Sequence, residues 1–119
     1  MEMITELQSK LEKFAVDRDW NQFHSPKNLI MALTSEVGEL NDLFQWLTDE
    51  QSKVENLSPA LLNRSKEEIA DVFLYIIRIA DKLNIDLYKA SIDKISLNET
   101  KYPIELSKGN AMKYNRRNE

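Results

Sequence analysis

The 119 residues contain no cysteine, which excludes disulfides and zinc–thiolate sites. Only 2 glycines and 3 prolines occur, too few for a sheet-rich architecture with many tight turns. The single histidine, His24, cannot supply the paired Glu-x-x-His ligands of a di-iron bundle. It also offers no convincing Ser–His–Asp arrangement. Glycine-rich phosphate loops and dinucleotide fingerprints are missing, as is the Asp/Asn ladder of an EF-hand. No run reaches the roughly 18 consecutive apolar residues of a membrane span. The first residues, Met1 to Glu6, lack the basic start and apolar stretch of a signal peptide, so the expected location is cytoplasmic, with no membrane partner. A formal net charge of -4 argues against non-specific nucleic-acid binding.

What is present is ordinary globular material, 42% hydrophobic and 30% charged, enough for one domain over 1–119. Helical periodicity predicts a first helix over about 5–18, with Leu7, Leu11 and Phe14 on one stripe. Ser25-Pro26 reads as an N-cap followed by proline, opening a second helix to about Leu47. Leu29, Ile30, Leu33, Val37, Leu40 and Phe44 form its broad apolar face. After a polar connection, Ser58-Pro59 opens a third helix to about Leu83. From Ile69 to Ala80 that helix is apolar nearly all round, which implies burial against a second subunit. Asn84-Ile85-Asp86 ends it and caps a fourth helix to about Asn98. The polar, basic segment 103–119 reads as an extended tail.

Two acidic pairs lie inside these apolar stretches: Glu36 with Glu39, and Glu68 with Asp71, each at i, i+3. Residues three apart share a helix face, so each helix aims two carboxylates at one point. Packing the helices together would converge four negative groups, which is unfavourable without a cation. Hard oxygen ligands suit Mg²⁺, usually with phosphate oxygens and waters completing the shell. The bland alternatives are surface salt bridging and, for Glu68, a capping box with Ser65. Asp71 resists them, because aspartate is a poor helix former set here among branched and aromatic residues.

The second constellation is aromatic. Trp20, Phe23 and His24 occupy the break before the second helix, and Trp46 lies near that helix's end. Core packing and stacking on a nucleobase both remain open for them. Lys94, Asn98 and Lys101 are spaced around the end of the fourth helix, as a phosphate-binding face or a merely solvated one.

The order Glu36-x-x-Glu39 followed by Glu68-x-x-Asp71 resembles the signature of the MazG-like all-α nucleoside triphosphate pyrophosphohydrolases. Further strings are similar to the dCTP pyrophosphatase branch: Arg18-Asp19-Trp20, Phe23-His24, Pro26 to Leu29, Phe44-Gln45-Trp46, and Lys94 through Asn98 to Tyr102-Pro103. The Leu106 to Gly109 and Lys113-Tyr114 stretches fit as well. The resemblance implies an antiparallel four-helix bundle assembled as an interlocked dimer or dimer-of-dimers tetramer. It implies cleavage of a deoxynucleoside triphosphate, dCTP or a modified dCTP, to the monophosphate and pyrophosphate, with Mg²⁺ or Mn²⁺ as cofactor. By the same resemblance Glu36, Glu39, Glu68 and Asp71 would hold the metal. Trp20, His24 and Trp46 would surround the base, with Tyr75 near the sugar or phosphate. Lys94, Asn98, Lys101 and Tyr102 would meet the triphosphate. Lys101 stands where the resemblance leads one to expect arginine, a point charge in place of a bidentate fork. The alternatives are a dUTP or broad-range nucleotide pyrophosphatase, or a non-catalytic helical interaction module.

Overall fold

Three side-chain caps set the phase of the helices. Ser25 Oγ accepts from the Asn28 amide at 3.2 Å, Ser58 Oγ from the Leu61 amide at 3.1 Å, and Asp86 Oδ1 from the Lys89 amide at 3.0 Å. Each satisfies one of the amides left orphaned at a helix start, and all three were expected from the sequence. The computed structural model describes residues 2–117, so Met1 and the last two tail residues, Asn118 and Glu119, lie outside the described residues.

The order is α1 (Glu2–Asp17), α2 (Pro26–Phe44), α3 (Pro59–Lys82), α4 (Leu87–Lys101) and α5 (Ile104–Ser107). Single 3₁₀ turns lie at Asn21–Phe23, Val54–Asn56 and Tyr114–Arg116, and no strand occurs among the described residues. The all-α class expected from the sequence is what the chain adopts. No helix of the described residues is long and apolar enough to cross a membrane.

The chain divides into two units, one ending at Ile85 and one beginning at Asp86. In the first, α3 packs against α2 and α1. Ala15, Leu29, Ile77 and Ala80 form its buried centre. Ser65 is also buried and donates its hydroxyl back to the Leu61 carbonyl at 2.8 Å. It therefore lies inside α3 and forms no capping box with Glu68. Ile69, Phe73 and Ile76 keep between 37% and 55% of their surface exposed, so α3 is not enclosed on every side by its own chain.

Both α1 and α3 end in a Schellman turn. The Trp20 amide bonds the Ala15 carbonyl at 2.8 Å, with Asp19 at φ 53°. The Ile85 amide bonds the Ala80 carbonyl at 2.8 Å, with Asn84 at φ 56°. Aspartate and asparagine tolerate this left-handed conformation better than other non-glycine residues. The first of these turns carries the chain into the Trp20–His24 loop.

Boundaries differ from the periodic reading by a few residues. α2 stops at Phe44 rather than Leu47, where the chain tightens and the Leu47 amide bonds the Phe44 carbonyl at 2.9 Å. α4 continues past Asn98 to Lys101, stopping just before the Tyr102-Pro103 pair, where the residue preceding proline leaves helical space. In the second unit the segment after Pro103 carries α5 and a 3₁₀ turn. Arg117 Nη1 there donates to the Lys101 carbonyl at 2.7 Å, and Lys101 Nζ lies 5.0 Å above the Tyr114 ring.

Candidate functional site

The packing of α2 against α3 brings three of the four acids together. Carboxylate oxygens of Glu36, Glu39 and Glu68 all lie within 4.8 Å of one another. Asp71 is exposed and stands outside this trio, but its charge acts on both Glu36 and Glu68. Glu36 Oε2 and Glu68 Oε2 are buried and have no hydrogen-bond partner. No lysine or arginine pairs with any of the four acids among the described residues.

Desolvation raises the Glu36 carboxyl above its usual range, and the neighbouring charges of Glu39 and Asp71 raise it further. Glu68 is raised as well, by desolvation first and then by Glu39, whose carboxyl lies within hydrogen-bonding reach. Tyr75 stands one turn beyond Asp71. Burial and the charges of Glu36, Asp71 and Glu39 raise its phenol, so the hydroxyl stays a donor at neutral pH.

Beside the acids a cavity of about 500 Å³ is lined by Glu39, Asp42, Leu43, Leu61, Arg64 and Glu68. Sequence reasoning missed Asp42 and Arg64. Helical spacing could have found both, since Asp42 is three residues beyond Glu39 and Arg64 four before Glu68.

The structure brings Trp20 and His24 together, edge to face at 6.2 Å between ring centroids. Phe14 also meets Trp20 edge to face at 5.6 Å, and the Arg18 guanidinium lies over the Phe14 ring. Trp46 is not gathered into this cluster. It is 86% exposed beyond the end of α2. Lys94 and Asn98 lie exposed on α4 in the second unit, where Tyr102 packs edge-on against Tyr114 at 5.9 Å.

Sequence reasoning also passed over Arg78, an apparent interruption in the apolar run of α3. It is only 3% exposed, and its three guanidinium nitrogens reach His24, Glu12 and Asn21.

A divalent cation fits the acidic trio. Three carboxylates converge without an ion pair to any lysine or arginine, two of them carry unpartnered buried oxygens, and oxygen-only donors favour hard ions such as Mg²⁺ or Mn²⁺.

No protein-family model matches the chain. Among curated proteins it is similar to dCTP pyrophosphatase 1 of Bos taurus, at 43% identity over 102 residues. It is similar to dCTP pyrophosphatase 1 of Homo sapiens at 41% over the same length. Each match covers 86% of this chain but 60% of the relative, so the chain spans about three fifths of the length of these proteins. A crystal structure of a pyrophosphatase from Archaeoglobus fulgidus superposes with a TM-score of 0.77 at 36% identity. That match covers 87% of this chain and 94% of the other. With sequence identity at this level extending over nearly all of that helical pyrophosphatase, the chain belongs to the MazG-like all-α pyrophosphohydrolase family that its acidic signature resembles.

Proposed function

We propose that this protein is a divalent-metal-dependent nucleoside triphosphate pyrophosphatase acting on deoxynucleotides, with dCTP or a modified dCTP as its substrate. The observation that carries the reading is the convergence of Glu36, Glu39 and Glu68 from two helices, with unpartnered buried oxygens on Glu36 and Glu68. Two packed helices without a cation to hold have little reason to bury like charges. The names of the curated relatives supply the substrate.

In this proposal Glu36, Glu39, Glu68 and Asp71 hold Mg²⁺, or Mn²⁺ in its place. When bound, the ion would neutralise triphosphate charge and acidify water at the reacting phosphorus. The protein's own part is positioning and proton handling. Glu39 is the exposed member of the trio, and as general base in place of ligand it would take a proton from the attacking water and pass it to bulk solvent. Glu36 and Glu68, held partly desolvated, fix the geometry. The protonated Tyr75 hydroxyl donates to a sugar or phosphate oxygen. Trp20 offers a ring for base stacking, His24 a hydrogen bond and Trp46 a second aromatic surface. Lys94, Asn98, Lys101 and Tyr102 are assigned to phosphate binding on the family resemblance alone.

The proposed assembly is a homo-oligomer, dimer or tetramer, supported by the exposed Ile69, Phe73 and Ile76 on α3. The proposed setting is the cytoplasmic nucleotide pool, with neither nucleic acid nor membrane as partner. Purified protein incubated with each dNTP and Mg²⁺ tests the reading. Pyrophosphate and dCMP should accumulate fastest from dCTP, and release of orthophosphate alone would reject the proposed bond.

A further inference from the structure

An arginine with 3% exposure needs a reason, because burying a charge is unfavourable unless it is fully paired. Arg78 is paired at every nitrogen. Nη1 donates to Glu12 Oε2 at 2.5 Å, Nη2 to Asn21 Oδ1 at 2.5 Å, and Nε to His24 Nδ1 at 3.2 Å. Asn21 closes the ring by donating from Nδ2 to Glu12 Oε1 at 3.0 Å, while Lys82 Nζ donates to Asn21 Oδ1 at 3.0 Å. Asp81 lies 3.7 Å from Nη1. The planar fork is thus clamped by α1, by the loop before α2 and by its own helix.

The bond to His24 has a chemical consequence. A guanidinium N–H can only donate, so His24 Nδ1 must carry a lone pair. A neutral imidazole with Nδ1 unprotonated holds its proton on Nε2. Among the described residues Nε2 has no partner. We propose that Arg78 is a positioning residue that locks His24 as the Nε2–H tautomer, so that His24 presents one donor to an acceptor oxygen of the bound nucleotide. This rests on the reading of His24 as a substrate-binding group. Desolvation, Arg78 and Lys82 all hold the imidazole below its usual pKa, with Glu12 opposing, so the neutral form is the one presented. The bland alternative is that Arg78 merely ties α1 and the loop to α3.

Because His24 is the only histidine, long-range proton–nitrogen NMR of the ¹⁵N-labelled full chain reads its tautomer without ambiguity. In the wild type, Nδ1 should appear pyridine-like and Nε2 pyrrole-like. Adding the α,β-imido analogue of dCTP with Mg²⁺ should move Nε2 and leave Nδ1 nearly still. Arg78→Met should mix the tautomers and raise KM for dCTP about tenfold, with kcat within about twofold. Glu12→Ala, which leaves the Arg78–His24 bond in place, should lower Tm without changing the tautomer. A wild-type imidazole protonated at Nδ1 overturns the proposal whether or not any variant folds. So does an analogue that binds without moving Nε2. If the tautomer and the Nε2 shift are as expected but no pyrophosphate is released, the positioning role stands and the enzymatic reading fails.

Discussion

Glu36 on α2 and Glu68 on α3 each bury one carboxylate oxygen, Oε2, without a hydrogen-bond donor, and their ligand oxygens lie within 4.8 Å of each other. Both carboxyls titrate above the ordinary value of 4.5. A carboxyl raised on folding stabilises the protein below the unfolded value, and that contribution is lost as pH rises through the folded one. The share of stability that these two carboxyls hold in metal-free protein should therefore be lost as pH rises above about 4.5, against the opposite trends of Glu12 and His24, whose pKa values are lowered. Mg²⁺ should restore it, with a larger gain at pH 7.5 than at pH 5. Scanning fluorimetry across pH, with and without the ion, measures this. Equal Mg²⁺ shifts at both pH values would count against the site.

Neutralising these acids separates fold from chemistry. Glu68→Gln should lower pyrophosphate release by about 10²-fold or more, the order found when one preorganised electrostatic group is removed. The metal-free variant should melt no lower than wild type at pH 7, because a desolvated like charge has gone. Asp71→Asn, outside the trio, should cost about tenfold. Circular dichroism would show unchanged helix content in both. A fully active Glu68→Gln protein would leave the helical interaction module as the better description.

The two tryptophans should respond differently to substitution. Trp46 is 86% exposed, so Trp46→Ala should change chain stability by less than about 0.5 kcal/mol. It should still weaken nucleotide binding if its ring meets the base. Trp20 contacts both Phe14 and His24, and its removal should lower Tm as well as affinity. Urea melts paired with fluorescence titration of the imido analogue distinguish the two.

The centre of the first unit should be sensitive to volume. Ile77 is fully buried, so Ile77→Ala should cost about 2–5 kcal/mol in urea unfolding. Ser58→Ala, which removes the cap of α3, should cost about 1 kcal/mol.

Much of this was legible in the sequence, and the reasons are local. Ser25, Ser58 and Asp86 announce helix starts because a short polar side chain satisfies amides three residues on. The Glu36/Glu39 and Glu68/Asp71 pairs could be placed on facing helices because i, i+3 spacing fixes a side independently of tertiary detail. Helix ends were less legible. The stops of α1 and α3, in left-handed turns at Asp19 and Asn84, were expected to within a residue, whereas α2 ends three residues early and α4 three residues late. The Arg78 cluster was hidden for a different reason. Its partners Glu12 and Asn21 lie 66 and 57 positions away, and nothing within a helical window joins them. Trp46 was expected near the end of the second helix, yet α2 has already ended at Phe44 and the side chain is 86% exposed.

The hydroxyl of Ser58 has a reach far beyond its own bond. By starting α3 where it does, it acts as the zero mark of a rotary dial on which Glu68 and Asp71 are read. One inserted residue between Pro59 and Glu68 would swing both carboxylates by about 100° around the axis. Length variation is therefore tolerable in the Thr48–Leu57 connection but forbidden in the first turns of α3, however conservative the inserted residue.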